Sequence, residues 1–141
     1  MEPERIGVRV AALTLLVAVV AAAGLTQASC LPTGERQRLE ALIGNVAQRA
    51  DVTFIRNGRA YDAVTAAQFL RGKWRNREAE VCSAEDFIVK VASVSSTTGK
   101  PYRVRLRDGR EVLAAEFFQA ELAGLTQRHL TGDVGEPNRA K

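Results

Sequence analysis

No catalytic signature can be assembled from this chain. It holds one histidine, His129, and no nucleophile is tied to it by a known spacing, so triad-type catalysis has no starting point. Its two cysteines, Cys30 and Cys82, are too few for a zinc site of the finger type, and nothing implies a metal or a cofactor. Aromatic residues make up 6% of the chain and no long block of lysine and arginine occurs, which argues against a dedicated nucleic-acid module. Gly99-Lys100 lacks the earlier glycine of a phosphate-binding loop, and Pro101 replaces its hydroxyl residue. Long hydrophobic runs are equally scarce. The one candidate, Val10 to Leu25, has 16 positions where a spanning helix needs about 20.

That run, preceded by Arg5 and Arg9 and followed by Thr26-Gln27-Ala28, has the layout of a secretory signal peptide cut after Ala28, with Ala21-Ala22-Ala23 as an earlier possibility. The expected organisation is a signal over 1–28, a linker over 29–34, one domain over 35–130 and a disordered Gly-, Pro- and charge-rich tail over 131–141. An exported, periplasmic or secreted protein follows from that layout. The alternative is membrane anchoring through an uncleaved N-terminal segment or a lipidated Cys30. An oxidising compartment would let Cys30 and Cys82 form a disulfide closing a 52-residue loop (82 − 30), worth about 4 kcal/mol on the chain-entropy model. Lipid on the Cys30 sulfur would exclude that bond. The formal charge is +4, and Glu2 and Glu4 cancel Arg5 and Arg9, so signal removal leaves the balance unchanged. Such a balance favours encounter with anionic envelope components or an acidic protein partner.

Hydrophobic periodicity predicts the order α-β-β-α-α-β-β-α, an α+β fold with a small antiparallel sheet made from two hairpins. The first helix, Glu35 to Ala50, repeats Leu39, Leu42, Ile43 and Val46. Asp62 caps a second helix with Ala63, Ala67, Leu70 and Trp74 on one stripe, while Arg71, Lys73, Arg75 and Arg77 read as solvated surface. Ser83 caps a third helix, and Glu85 and Asp86 in its first turn suit the helix dipole better than acid–base work. In Tyr102-Arg103-Val104-Arg105-Leu106-Arg107 the apolar residues face inward and three arginines outward, and Asp108-Gly109 returns the chain through Glu111-Val112-Leu113. The last helix is expected from Ala114 to Gln127, with His129 just beyond it complementing its C-terminus.

The stretch with most to say is Val52 to Tyr61, two β-prone runs joined by Asn57-Gly58. A type I′ turn there sets Arg56 opposite Arg59 and Phe54 opposite Tyr61, all four on one face. Two guanidinium groups side by side need an anion near them. That anion is either a carboxylate from elsewhere in the fold or a ligand held by Arg56, Arg59 and Tyr61, joined by Arg103 or Arg105 if the hairpins pack side by side. The competing class is a hydrolase built from Glu85 or Asp86 with Lys73, Tyr61 or Ser95; a purely structural interaction module is the third.

Phe54-Ile55-Arg56-Asn57-Gly58, Tyr61, Leu70, Lys73-Trp74, Ala84-Glu85-Asp86-Phe87-Ile88, Ser95-Ser96, Gly99 and Pro101-Tyr102 together resemble a domain-of-unknown-function family of small exported bacterial proteins. Phe69 stands where that pattern has histidine before leucine, and Phe117-Phe118 where it has tryptophan-leucine. The resemblance implies a shared fold and an export route, and it brings no activity with it.

Overall fold

The computed structural model describes residues 29–132, so the signal segment and nearly all of the C-terminal tail lie outside the described residues. Helix α1 (Thr33–Ala47) starts inside the stretch expected to be a linker, because the backbone after Pro32 turns helical at once and Glu35 meets the helix N-terminus. It stops at Gln48, short of Ala50, where Arg49 instead pairs with Asp51 at 2.8 Å and with Glu121. Leu39, Leu42, Ile43 and Val46 are all fully buried.

Strands β1 (Thr53–Arg56) and β2 (Arg59–Tyr61) form the first hairpin, with Arg56 opposite Arg59 and Phe54 opposite Tyr61. Asn57 and Gly58 take φ of 50° and 79°, as a type I′ turn demands. Gly58→Val forces a side chain into the left-handed region. It is expected to destabilise the protein by about 1–2 kcal/mol, read as a lower urea midpoint at constant slope; an unchanged midpoint would contradict the turn assignment. The Asn57 side chain also ties the turn down, donating to Ser95 Oγ at 3.3 Å and accepting from Thr98 Oγ1 at 2.7 Å.

Helix α2 (Ala63–Arg75) is capped by Asp62, which accepts from the Thr65 amide at 2.7 Å, and it buries Ala63, Ala67, Leu70 and Trp74. A short 3-10 turn, Glu78–Glu80, follows. Ser83 then caps α3 (Ala84–Phe87), which opens into a wider π-helical turn over Ile88–Ala92. Strands β3 (Arg103–Arg105) and β4 (Glu111–Leu113) form the second hairpin, and α4 (Ala114–Thr131) runs four residues past Gln127, so His129 lies in its last turn.

The four strands make one antiparallel sheet in the order β2-β1-β3-β4, completing the α+β architecture. One face carries Phe54 and Val104 into the core against α2 and α4. There Phe54, Phe117, Phe118, Phe87 and Trp74 form a chain of mostly edge-to-face contacts with centroids 5.7 to 6.3 Å apart, a geometry that aromatic quadrupoles favour. Cys30 and Cys82 are joined by a disulfide with Cα atoms 4.9 Å apart, which fastens the segment before α1 to the approach of α3. The Cys30 sulfur is thereby used, and a lipid thioether on it is incompatible with this bond. Among the described residues no helix is long and apolar enough to cross a membrane.

Candidate functional site

Strand alternation decides where each arginine goes. Arg56 has the same parity as Phe54, and Phe54 pairs with Tyr61 on one side and Val104 on the other, so Arg56, Arg59 and Tyr61 belong to the face that meets the helices. Arg103 pairs with Ile55 and Arg105 with Thr53, which puts both on the opposite face. The hairpins do pack side by side, through β1 and β3, yet this joins Arg103 and Arg105 to Glu111, at 3.3 and 2.8 Å, rather than to Arg56. Burial of the apolar residues between them fixes that outcome, since exchanging the two faces would expose Phe54 and Val104.

Arg56 sits at the end of the inner face, half-buried, over a cavity of about 80 Å³ between the first hairpin and α2. Tyr61, Thr65, Phe69, Leu70 and Tyr102 border it, and no acidic residue does. Arg103 also borders it from β3, with its guanidinium committed to Glu111. The Arg56 guanidinium stacks 4.0 Å above the Phe69 ring, a contact that desolvates a cation without neutralising it. Its Nε is shielded from solvent and has no hydrogen-bond partner. Among the described residues no carboxylate pairs with Arg56 or Arg59, nor with Arg75, Arg107 or Arg128, whereas Arg36, Arg38, Arg49, Arg71, Arg77, Arg103, Arg105 and Arg110 each have at least one. Arg59, directly across the hairpin, is exposed.

A second cation lies behind the cavity. Lys73 is not solvated surface: three residues beyond Leu70, it turns toward the core, and its ammonium donates to the carbonyl of Val91 at 2.8 Å and to that of Val94. Val91 lies at the end of the helical stretch and Val94 just beyond it, where carbonyls have no partner within the helix. The same ammonium reaches the Tyr102 hydroxyl at 3.4 Å and lies 5.0 Å from the centre of its ring. Burial, then the positive charges of Arg77 and Arg56, lower the Lys73 pKa from the usual 10.5 to about 8. Burial raises the Tyr102 pKa, opposed by the nearby Arg56 guanidinium and Ser95 hydroxyl.

The Lys73 shift has a signed consequence. Between pH 8 and 10.5 the unfolded chain keeps a proton that the folded protein releases, so this residue's contribution to stability rises with pH across the window. Below pH 8 both states are charged and the unfavourable burial of the charge is fully present. Denaturation at stepped pH should show wild type gaining stability relative to Lys73→Met from pH 8 to 10.5; parallel curves would mean an ordinary exposed lysine.

The groups required for a hydrolase are dispersed. Glu85 pairs with Arg38 at 3.0 Å, and Asp86 pairs with Lys90 at 3.2 Å and accepts from the Cys82 amide. Ser95 is buried beside Asn57, away from both acids' partners. Trp74 Nε1 is the other shielded nitrogen without a partner, and its ring borders a separate open depression in which Arg36 and Arg71 already have Glu78 and Glu40. Phe69 and Tyr102 are absent from the sites expected from sequence, and Lys73 enters there only as a partner of Glu85 or Asp86 in the competing hydrolase. The signal that could have found Lys73 is its helical neighbourhood, since Ala66, Phe69 and Leu70 lie on the same side of α2.

The sequence model of a family described as a family of unknown function, DUF5329, matches residues 33–126. The uncharacterized protein YfeK of Salmonella typhimurium strain LT2 is 47% identical over 68 residues, which is 48% of this chain and 57% of that protein. The match therefore covers little more than half the length of that relative. No solved structure matches.

Proposed function

As this chain belongs to the DUF5329 family of unknown function, which brings no activity with it, we propose that it is a small exported binding protein whose ligand is an anion carrying a short apolar group. The carrying observation is Arg56: a guanidinium on the core-facing side of a sheet, stacked on Phe69, its Nε shielded and unpartnered, above a cavity without an acid. A half-buried cation left without a counter-charge costs stability that a bound anion recovers. The cavity limits the rest of the ligand. An apolar cavity of about 150 Å³ accepts benzene, with six carbons, so about 80 Å³ suits a branched alkyl group of about three carbons rather than a nucleotide or a long acyl chain. Export rests on the basic start and apolar run of the N-terminal segment, together with a disulfide that an oxidising compartment would keep.

Isovalerate is the matching probe, and isoamylamine, of similar shape and opposite charge, is its control. In amide NMR titrations isovalerate is expected to move the resonances of Arg56, Tyr61, Thr65 and Phe69 saturably while isoamylamine does not. Equal response to both, or response to neither, removes the proposal.

A further inference from the structure

Resting on that reading of the cavity, we infer that the anion is the terminal carboxylate of an extended polypeptide, which adds to the open edge of β2 and turns its last apolar side chain to the face of the sheet that holds Arg56 and the cavity. Strand β2 is the end of the sheet, and among the described residues nothing pairs with its outer side. In a two-residue hairpin the residues flanking the turn exchange hydrogen bonds with each other, so Arg59 and Tyr61 spend their backbone groups on Arg56 and Phe54. Ala60, between them and exposed, turns its N–H and C=O outward. Those two groups are the hydrogen-bonding face that strand addition uses.

Charge placement sets the direction. Arg56 and Arg59 lie at the turn end of β2 and among the described residues no carboxylate pairs with either, so a carboxylate belongs there, and a chain ending there runs antiparallel to β2. In that register the penultimate ligand residue lies opposite Ala60 and exchanges two hydrogen bonds with it. The final residue lies opposite Arg59 and has the same parity as Arg59 and Tyr61, so its side chain points to the face that holds the cavity. Valine, with a three-carbon branched side chain, fits the volume. The occupant is thus the C-terminus of another polypeptide ending in a small branched residue, with sequence further back free to vary because β2 is only three residues long.

The test uses the full chain with its disulfide formed and four probes: acetyl-Ala-Ala-Val with a free carboxylate, its C-terminal amide, the same acid methylated on the nitrogen of the penultimate residue, and isovalerate. The free-acid peptide is expected to bind about tenfold more tightly than isovalerate, as two net backbone hydrogen bonds allow. N-methylation should abolish that gain, and amidation should abolish binding. If isovalerate binds as well as the peptide and N-methylation changes nothing, the strand-addition inference falls while the anion site stands. If the amide binds as well as the acid, or if no probe binds, both fall. Modifying the ligand avoids dependence on a protein variant that fails to fold, and Ala60→Pro offers a parallel check, since proline is tolerated on an edge strand when its nitrogen faces outward. That variant should lose the peptide's advantage and keep isovalerate binding; retention of the peptide's advantage would overturn the inference.

Discussion

Reducing the Cys30–Cys82 bond should lower stability by about 4 kcal/mol, because it frees a 52-residue loop in the unfolded chain. For a domain of this size that corresponds to a fall in melting temperature of about 15–30 °C. The reduced protein should still fold at low temperature. The two ends that the bond joins are held by other contacts: Leu31 is buried next to Cys30, Glu35 accepts from the Ala84 amide at 2.9 Å, and Arg36 pairs with Glu78. Each of these brings the start of α1 to the approach of α3 without the sulfurs. Thermal unfolding with and without reductant, alongside a Cys30→Ala, Cys82→Ala variant, separates the cases. Equal melting temperatures would show that the bond does not form. Loss of helical circular dichroism at low temperature would show that the non-covalent contacts do not suffice.

Arg56→Gln should weaken isovalerate binding by roughly 10- to 100-fold, since hydrogen bonds to a charged partner contribute about 1.5–3 kcal/mol each. Glutamine keeps much of the length of the side chain and can lie over Phe69, so the cavity wall is retained while the charge is lost. Stability should hold or rise, because the variant removes a half-buried cation that no described carboxylate neutralises. That pairing of outcomes distinguishes a ligand-directed arginine from a structural one, whose removal would cost stability. Arg59→Gln should have a smaller effect, as an exposed guanidinium is already well solvated. Isothermal titration of the variants, together with urea unfolding of each, measures both quantities. Unchanged affinity in a folded Arg56→Gln protein would reject the role of the residue.

Much of the fold could be read from local chemistry. Asn57-Gly58 specified both the turn and its register, Asp62 and Ser83 specified two helix starts, and the apolar stripes of α1 and α2 named residues that are in fact buried. Each of these signals acts within a few residues. The misplacements needed tertiary information. Arg103 and Arg105 were grouped with Arg56 because adjacency of hairpins was foreseeable, whereas the pairing of Phe54 with Val104, which places them on the other face, depends on long-range register. Lys73 reads as solvated because its partners, the Val91 and Val94 carbonyls, lie 18 and 21 residues further along the chain, at and beyond a helix end that only the tertiary fold brings to α2. The inward aspect of Arg56 was nearer to hand. Phe54 and Tyr61 share its face, and an aromatic face is one a sheet buries.

The most direct measurement is the side-chain Nε–H resonance of Arg56 during an isovalerate titration. The nitrogen starts shielded and without an acceptor, so carboxylate binding should shift its proton downfield, slow its exchange with water and saturate together with the backbone shifts. If the backbone signals saturate while that resonance stays in place, the anion sits elsewhere and the site described here is not the one that binds.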